Sequence, residues 1–346
     1  MPDALSGLLP EELTEILAPL PGFRSGQISG WIAKGVKSFD EMANLPLSLR
    51  AELARRFTLR PQIKEKKVLK GKDGTVKIAL QFADDSIAEA VLLTAPLKDA
   101  VTYTLCLSVQ AGCPIGCVFC KTGSLGFRRN LAPAEIVEQF LQLREFLENQ
   151  TVKPNIVIMG MGEPLLNLNH LRRAIDIFCS KKHFNYSPRR ITVSTCGIAA
   201  GIKDLADNFP PVNLAVSLTT ADEELRQKLM PLPKNNSLAL LKESLLYFQK
   251  KGRGRITLEA VLLGGINTRE KDALCMVKFS EGLDAVINLI PWNPVKGLKF
   301  QGKALCPPSI NEVKSFTEKL KSQGLKVTCR FRRGKDISGA CGQLGG

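Results

Sequence analysis

Residues 104–120 read TLCLSVQAGCPIGCVFC, a strand-like run followed by three closely spaced cysteines. Cys113, Cys117 and Cys120 form the pattern C-x3-C-x2-C. Three thiolates in this arrangement predict three corners of a cubane iron–sulfur cluster, with one iron left without a protein ligand. An iron with an open position can bind a substrate or cofactor. The pattern therefore indicates a catalytic cluster rather than an electron carrier.

Two other interpretations of the three cysteines stay open at this point. One is a zinc knuckle, which needs a fourth ligand close by. The chain holds only two histidines, His170 and His183, so a nitrogen ligand is scarce, although other cysteines remain. The other is a set of buried thiols without any ligand.

The segment after residue 101 alternates between strand-like and helix-like patterns. Residues 134–149 repeat apolar positions at helical spacing. This alternation predicts an α/β fold, a partial (β/α) barrel with a mostly parallel sheet, whose active site lies at the carboxyl ends of the strands. The predicted strands are 104–109, 156–159, 190–194, 212–218, 256–263, 285–291 and 327–331.

Two smaller regions precede the barrel. Residues 1–60 predict a small helical domain whose core includes Phe23, Trp31, Ile32, Phe39 and Met42. Residues 61–100 predict a small β-hairpin region, because turn signals at 73–74 and 84–85 separate alternating apolar runs. The predicted division is therefore 1–60, 61–100 and 101–346.

The composition narrows the class of partner. The 346 residues carry a net charge of +15, which predicts a polyanion, with nucleic acid preferred over plain solubility. Neither a bilayer-spanning apolar run nor a secretory signal is apparent, so we expect a cytoplasmic protein without a membrane partner. Ten cysteines in such a chain favour metal or redox chemistry over a disulfide scaffold.

A second motif, MGMGEP at 159–164, ends a predicted strand. Glycines there let backbone groups approach a ligand, and Glu163 offers a carboxylate to a cationic amino group. A tight turn with an exposed glutamate explains the motif almost as well when it is taken alone. After a three-cysteine loop it indicates S-adenosylmethionine, whose amino and carboxylate groups can chelate the open iron.

Two further cysteines stand out by position. Cys106 lies on the strand that leads to the cluster loop, and Cys341 lies in the glycine-rich tail GACGQLGG. A thiol on a mobile tail can reach an active site, be modified and move away. The plainer interpretation is a frayed chain end with an incidental thiol.

These motifs together resemble the RlmN/Cfr family of radical S-adenosylmethionine RNA methyltransferases, and the resemblance spans nearly the whole chain. The segments that carry it are PGFRSGQISGWIAKGVKSFDEM (21–42), TLCLSVQAGCPIGCVFCKTGSLGFRRNL (104–131), GMGEPLLNLNHL (160–171), RRITVSTCG (189–197), INLIPWNP (287–294) and DISGACGQL (336–344).

The resemblance implies roles for individual residues. It places a 4Fe–4S cluster on Cys113, Cys117 and Cys120. Where the family usually has Ser-Leu-His, this chain has Ser217-Leu218-Thr219. The implied S-adenosylmethionine-binding residues are Gly162, Glu163, Ser194, Ser217, Leu218, Thr219 and Asn293.

The resemblance also implies a reaction that consumes two S-adenosylmethionine molecules per turnover. Cys341 accepts a methyl group from one, and the second, cleaved reductively, gives a 5′-deoxyadenosyl radical that takes hydrogen from this methyl group. The methylene radical then adds to an adenine ring. Cys106 resolves the protein–RNA adduct by a transient disulfide with Cys341, and Glu89 matches the family's proton acceptor.

The substrate prediction follows from GFRRNL at 126–131, which is closer to the RlmN form of the motif. It predicts methylation of adenine carbon 2 in the peptidyl transferase centre of 23S rRNA, with an adenine of the tRNA anticodon loop as a further candidate. A Cfr-type enzyme acting on carbon 8 and a non-catalytic iron–sulfur RNA-binding protein are the alternatives. We expect a monomer and a reducing partner such as flavodoxin or ferredoxin.

Overall fold

The computed structural model describes residues 4–97, 100–149, 151–233, 235–329 and 334–345. Within these ranges none of the helices combines the length and the apolar character that crossing a bilayer requires.

The strands fall into a hairpin region, a series of alternating units and a few short pairs. Their bounds are β1 Ile63–Lys70, β2 Val76–Phe82, β3 Ile87–Leu97, β4 Ala100–Cys106, β5 Gln110–Gly112, β6 Phe127–Asn130, β7 Asn155–Ile158, β8 Ile191–Thr195, β9 Asn213–Ser217, β10 Ile256–Leu262, β11 Ala285–Pro291, β12 Lys299–Phe300, β13 Lys303–Ala304 and β14 Lys326–Cys329.

The helices begin with a group at the N-terminus and then alternate with the strands. Their bounds are α1 Pro10–Ile16, α2 Phe23–Lys34, α3 Leu47–Arg56, α4 Lys121–Ser124, α5 Pro133–Arg144, α6 Leu168–Cys179, α7 Ala199–Asn208, α8 Glu223–Leu229, α9 Leu238–Lys250, α10 Glu270–Ser280 and α11 Ile310–Ser322.

One sheet joins most of the strands in the order β1-β2-β3-β4-β7-β8-β9-β10-β11-β14. The pairs from β4 to β14 are parallel, and apolar side chains of these strands and of α5, α6, α7 and α9 share one core. Edge strands β1 and β14 do not pair with each other in the described ranges, so the barrel is open. The predicted parallel α/β architecture is confirmed, and its strands present their carboxyl ends at one edge.

The hairpin region continues this sheet. Strands β1 to β4 are antiparallel neighbours, and the predicted turns lie between β1 and β2 and between β2 and β3. Gly74 in the first turn and Asp85 in the second both have positive φ, as tight turns require. The division of the chain at residues 60 and 100 stays a prediction, although β3 and β4 are hydrogen-bonded along their length.

Most predicted strands agree with the observed ones to within one residue at each end, but three predicted elements differ by more. The strand predicted at 104–109 is β4, Ala100–Cys106, which begins earlier because it pairs with β3 from residue 100 onward. Helix α5 ends at Arg144 rather than 149, because the amides of Phe146 and Leu147 bond to carbonyls three residues back, which tightens the chain into turns. Strand β14 ends at Cys329, and positions 330–331 of the predicted strand lie outside the described residues.

The N-terminal helices pack around a core of their own, which contains Ile32, Phe39 and Met42 as predicted. Trp31 is partly buried against this core. The prediction for Phe23 is wrong: its side chain is 60% exposed at the start of α2, with the Arg24 guanidinium 4.8 Å from the ring centroid. The Phe23 ring therefore packs against the Arg24 cation rather than against the apolar core.

A buried ion pair connects this helical region to α5. The Arg60 guanidinium donates to both carboxylate oxygens of Glu138 at 2.7 and 2.6 Å. We expect Glu138→Ala to lower the free energy of unfolding by about 3–5 kcal/mol, because it leaves a buried guanidinium without its counterion. Glu243→Ala, which removes an exposed pair with Lys203, is the control and should cost less than about 1 kcal/mol. Equal losses in denaturant titrations would contradict this.

Candidate active site

A cavity of about 170 Å³ opens at the carboxyl ends of the parallel strands. Most of the residues predicted to bind the cluster and the cofactor line it, although they come from distant parts of the sequence. The predicted residues at the cavity are Cys113, Cys117, Cys120, Gly162, Glu163, Ser194, Ser217, Asn293 and Cys341.

The cysteine loop between β5 and α4 takes its shape from close backbone approach. Gly112 has φ +76°, and a Cβ there would lie 1.9 Å from the Gly126 carbonyl oxygen, so only glycine fits. The Cys113 amide donates to that same carbonyl at 2.9 Å. The Trp292 indole N–H donates to the Phe119 carbonyl at 2.8 Å, which fixes the loop to the segment after β11.

The three thiols fit a cluster better than a single metal ion. Within the part of the chain that the structure describes, no three His, Cys, Asp or Glu side chains gather closely enough to hold one ion. A cubane cluster takes each thiolate on a different iron, so it needs three thiols around a cavity rather than around a point. Cys113, Cys117 and Cys120 all line the cavity, as a cluster with three protein ligands requires.

Burial controls the protonation of these thiols. It raises the pKa of Cys113 to about 11, and it raises the pKa of Cys117 and Cys120 as well. The ligand form is the thiolate, so cluster binding must release these protons.

Glu163 and Gly162 close the cavity on the β7 side. The Glu163 carboxylate is buried and accepts the amides of Leu165 at 3.0 Å and Cys196 at 2.7 Å. Burial raises the pKa of Glu163, and these hydrogen bonds oppose the shift. Gly162 has φ +100°, and a Cβ there would meet the Gln110 side chain at 2.5 Å. The carboxylate thereby ties the ends of β7 and β8 together at the cavity.

Asn293 stands between the cavity and the tail. Its Nδ2 donates to the Cys341 carbonyl at 3.0 Å, while its buried Oδ1 has no hydrogen-bond partner within the described residues. An unsatisfied buried acceptor is costly unless a ligand supplies a donor. The side chain therefore suits a bound molecule with an N–H or O–H group.

A second, smaller cavity adjoins the first and is lined by both Cys106 and Cys341. Cys120, Asn293 and Cys341 line both cavities. The ten cysteines form no disulfide in this structure, so the transient Cys106–Cys341 disulfide stays a prediction. The two thiols predicted to act in turn thus share one space beside the cluster cysteines.

The tail that carries Cys341 is docked, in contrast to the mobile segment expected from its glycines. The Lys121 amide donates to the Gly342 carbonyl at 2.8 Å, and the Thr122 hydroxyl donates to the Leu344 carbonyl at 2.7 Å. Leu344 is buried among Val91, Cys106 and Met161. These contacts place the tail against both the cluster loop and β4.

Glu89 lies behind the tail rather than at either cavity. Its buried carboxylate accepts the Gly345 amide at 2.8 Å and lies 3.3 Å from the Lys77 ammonium. The structure therefore brings Glu89 to the tail, although Glu89 itself lines neither cavity.

Two predicted cofactor-binding residues are not brought to the cavity. Leu218 and Thr219 follow β9 but are fully buried, and neither is among the lining residues. The Thr219 amide donates to the Glu259 carbonyl at 3.0 Å, and its carbonyl accepts from the Asn267 side chain. The chain turns away from the cavity after Ser217 because these bonds hold it against β10.

Comparison with known proteins agrees with this geometry. The model of the Radical SAM superfamily matches residues 107–275. A protein from Treponema denticola called a probable dual-specificity RNA methyltransferase RlmN is 50% identical over 99% of this chain and 95% of its own length. A similarly named protein from Thermus thermophilus is 41% identical over 97% of this chain and 91% of its own.

The chain belongs to the RlmN family of radical SAM methyltransferases. A solved structure agrees: the crystal structure of a radical SAM methyltransferase from Sphaerobacter thermophilus superposes with a TM-score of 0.91, at 35% identity and 99% coverage of both chains. This confirms the predicted family and fold class. The RlmN family uses a 4Fe–4S cluster and S-adenosylmethionine, and the thiol set and the unsatisfied Asn293 oxygen fit both.

Sequence reasoning missed several residues of this RlmN-family site. Thr122 holds the tail through the Leu344 carbonyl. Lys77 contacts the carboxylate of Glu89, and Trp292 holds the cluster loop. Cys196 and Glu259 also line the cavity. Only Glu259 had a visible signal, a charged residue inside the apolar run of β10.

Glu163→Gln tests the cofactor cavity of this RlmN-family enzyme. A glutamine offers one acceptor oxygen where the carboxylate serves two amides, so the ends of β7 and β8 lose a charge-assisted hydrogen bond. Such a bond is worth about 1.5–3 kcal/mol. We expect anaerobic equilibrium binding to show about 10- to 100-fold weaker affinity for S-adenosylmethionine. Glu270 is exposed at the start of α10, so Glu270→Gln is the control. Unchanged affinity in Glu163→Gln would contradict the assignment of Glu163 to the cofactor cavity.

Proposed function

We propose that this enzyme methylates carbon 2 of an adenine at the peptidyl transferase centre of 23S rRNA, and of an adenine in the tRNA anticodon loop, through an S-methylated Cys341. The observation that carries the proposal is the position of Cys106 and Cys341, which line one cavity next to the three cluster cysteines. Neither an electron carrier nor a simple RNA-binding protein needs two such thiols.

Charge supports RNA as the substrate. The net charge of +15 attracts a polyanion, and the relatives from Treponema and Thermus are named as RNA methyltransferases. An adenine ring carbon is reachable only when the base leaves its stack, which favours a folded RNA with an unstacked base.

The chemistry explains why a thiol must carry the methyl group. A ring carbon of adenine has little nucleophilic character, so direct displacement from a sulfonium fails. A cluster held by Cys113, Cys117 and Cys120, with S-adenosylmethionine in the adjoining cavity, would supply the one-electron chemistry: the carbon radical that activates the methyl group and the acceptor for the electron released later. Cys341 holds that methyl group, and Asn293 fixes the Cys341 carbonyl at the boundary of the two cavities.

The adduct is then resolved by the second thiol. In the cationic adduct, ring carbon 2 still bears its hydrogen and is joined through a methylene group to the Cys341 sulfur. The ring hydrogen leaves as a proton to Glu89. The Cys106 sulfur attacks the Cys341 sulfur, so the S–S bond forms and the C–S bond breaks. Its electron pair stays on the methylene carbon, which takes the proton lost by Cys106 and becomes the methyl group.

One S-adenosylmethionine supplies the methyl group and a second supplies the radical, so two are consumed per turnover. A small reductase partner such as flavodoxin or ferredoxin supplies electrons. We further propose that the enzyme is a monomer of the cytoplasm, where its RNA substrates are.

The deciding experiment is anaerobic reconstitution followed by assay on rRNA fragments and tRNA, with nucleoside mass spectrometry of the products. We expect 2-methyladenosine from both RNAs. Exclusive formation of 8-methyladenosine would instead show the Cfr-type reaction. A reconstituted protein that binds RNA but forms neither product would show the non-catalytic alternative.

A further inference from the structure

Lys77 and Glu89 form a buried ion pair behind the docked tail. Both residues are 3% exposed, and the Lys77 ammonium lies 3.3 Å from each carboxylate oxygen. Removing two charges from water costs several kcal/mol per ion, so a buried pair is weak evidence for stability by itself. The Lys77 charge is costly to bury and lies next to Glu89, the proposed proton acceptor. This indicates a role in the reaction rather than in stability.

The strand register places this pair beside the resolving thiol. Lys77 of β2 lies opposite Val91 of β3, and Val91 lies opposite Cys106 of β4. Residues opposite each other share a face of the sheet, and Glu89, two positions before Val91, shares it as well. Lys77, Glu89 and Cys106 therefore occupy one face, which is covered by Leu344 of the tail.

Among the described residues, the Glu89 carboxylate contacts the Lys77 ammonium on β2 and the Gly345 amide on the tail. The Gly345 amide donates to Oε2 at 2.8 Å, but Gly345 is four positions after Cys341 on the tail. If Cys341 moves to deliver its methyl group to RNA, the Gly345 amide must move with the tail, whereas Lys77 stays on β2. The other groups around Glu89 bind its backbone: the Ser108 hydroxyl donates to its carbonyl, and its amide contacts the Met161 sulfur.

We propose that Lys77 is a positioning residue for resolution of the RNA adduct. It holds the Glu89 side chain in place while the tail amide is absent, so that the carboxylate can take the proton from ring carbon 2. The inference rests on the proposed function, in which Glu89 is that acceptor. Lys77 has no role in loading the methyl group on Cys341, because neither cavity includes it.

The test measures two steps separately: methylation of Cys341 and decay of the protein–RNA adduct. Lys77→Met keeps the length of the side chain and removes its charge, and Lys77→Arg keeps the charge. Lys67→Met, on exposed β1, is the matched control. We expect Lys77→Met to bind the cluster and to methylate Cys341 at the wild-type rate by peptide mass spectrometry. The covalent protein–RNA adduct should decay about 100-fold more slowly, since loss of position alone costs about this much. Lys77→Arg should restore most of the rate.

A double variant keeps the test decisive even where Lys77→Met folds poorly. Lys77→Met with Glu89→Gln removes both charges, which proteins tolerate better than the loss of one. If Lys77 acts through Glu89, this double variant resolves the adduct no more slowly than Glu89→Gln alone. Additive losses, or equal losses of Cys341 methylation and adduct decay in Lys77→Met, would overturn the inference. A wild-type protein that never forms the adduct would instead overturn the proposed function.

Discussion

Replacing Cys341 with alanine is expected to abolish RNA methylation, by about 10⁴-fold or more, since no other thiol can carry the methyl group to the ring. The cluster should still assemble, because Cys341 only borders the cavity of Cys113, Cys117 and Cys120. Tail docking should also persist, since it relies on the backbone at Gly342 and on Leu344.

Three measurements check this expectation together: the iron content, the visible absorption of the cluster and the yield of methylated adenosine. Cys306→Ala is the control, because that exposed cysteine lies beside Gly264, away from both cavities. Methylated RNA from the Cys341→Ala protein would show that the methyl group reaches the ring by another route.

The second large effect is expected for Cys106→Ala. Without its thiol the bond between the ring methylene and Cys341 cannot be broken by disulfide formation, so each enzyme molecule should stop with RNA attached. Denaturing gels should show a protein–RNA species that survives heat and detergent, and turnover should fall to at most about one product per enzyme.

Cys179→Ala provides the comparison for that experiment, since Cys179 ends α6 and lines neither cavity. It should show normal turnover and no attached RNA. If Cys106→Ala released only free RNA with the normal methylated base, Cys106 would have no resolving role.

Local patterns predicted much of the fold and the cluster loop. Alternating strands and helices gave the parallel sheet, and the placement of the cysteine loop and MGMGEP after strands brought Cys113 and Glu163 to one edge. That prediction succeeds because the carboxyl ends of parallel strands lie at the same edge of the sheet, however long the connections between the strands are. The docking of Cys341 beside Cys106 depends instead on backbone hydrogen bonds at Lys121 and Gly342, for which the sequence has no pattern.

Lys77 shows why the rest of the site was not predictable. In VKIALQF the apolar positions 78, 80 and 82 alternate with 77, 79 and 81, which indicates a strand whose lysine faces water. The tail covers the face of β2 that carries Lys77, although the tail lies more than 250 positions later in the chain. Leu218 and Thr219 are the converse case: a segment expected to bind the cofactor is held against β10 by Glu259 and Asn267.

In the proposed reaction a methyl group passes through Cys341 and loses one hydrogen before it reaches the ring. The most direct test loads Cys341 with a trideuterated methyl group, removes the labelled S-adenosylmethionine, and then adds RNA, reductant and unlabelled S-adenosylmethionine for a single turnover. We expect the product methyl group to retain two deuterium atoms and to gain one hydrogen. A product methyl group with three deuterium atoms, or with none, would contradict it.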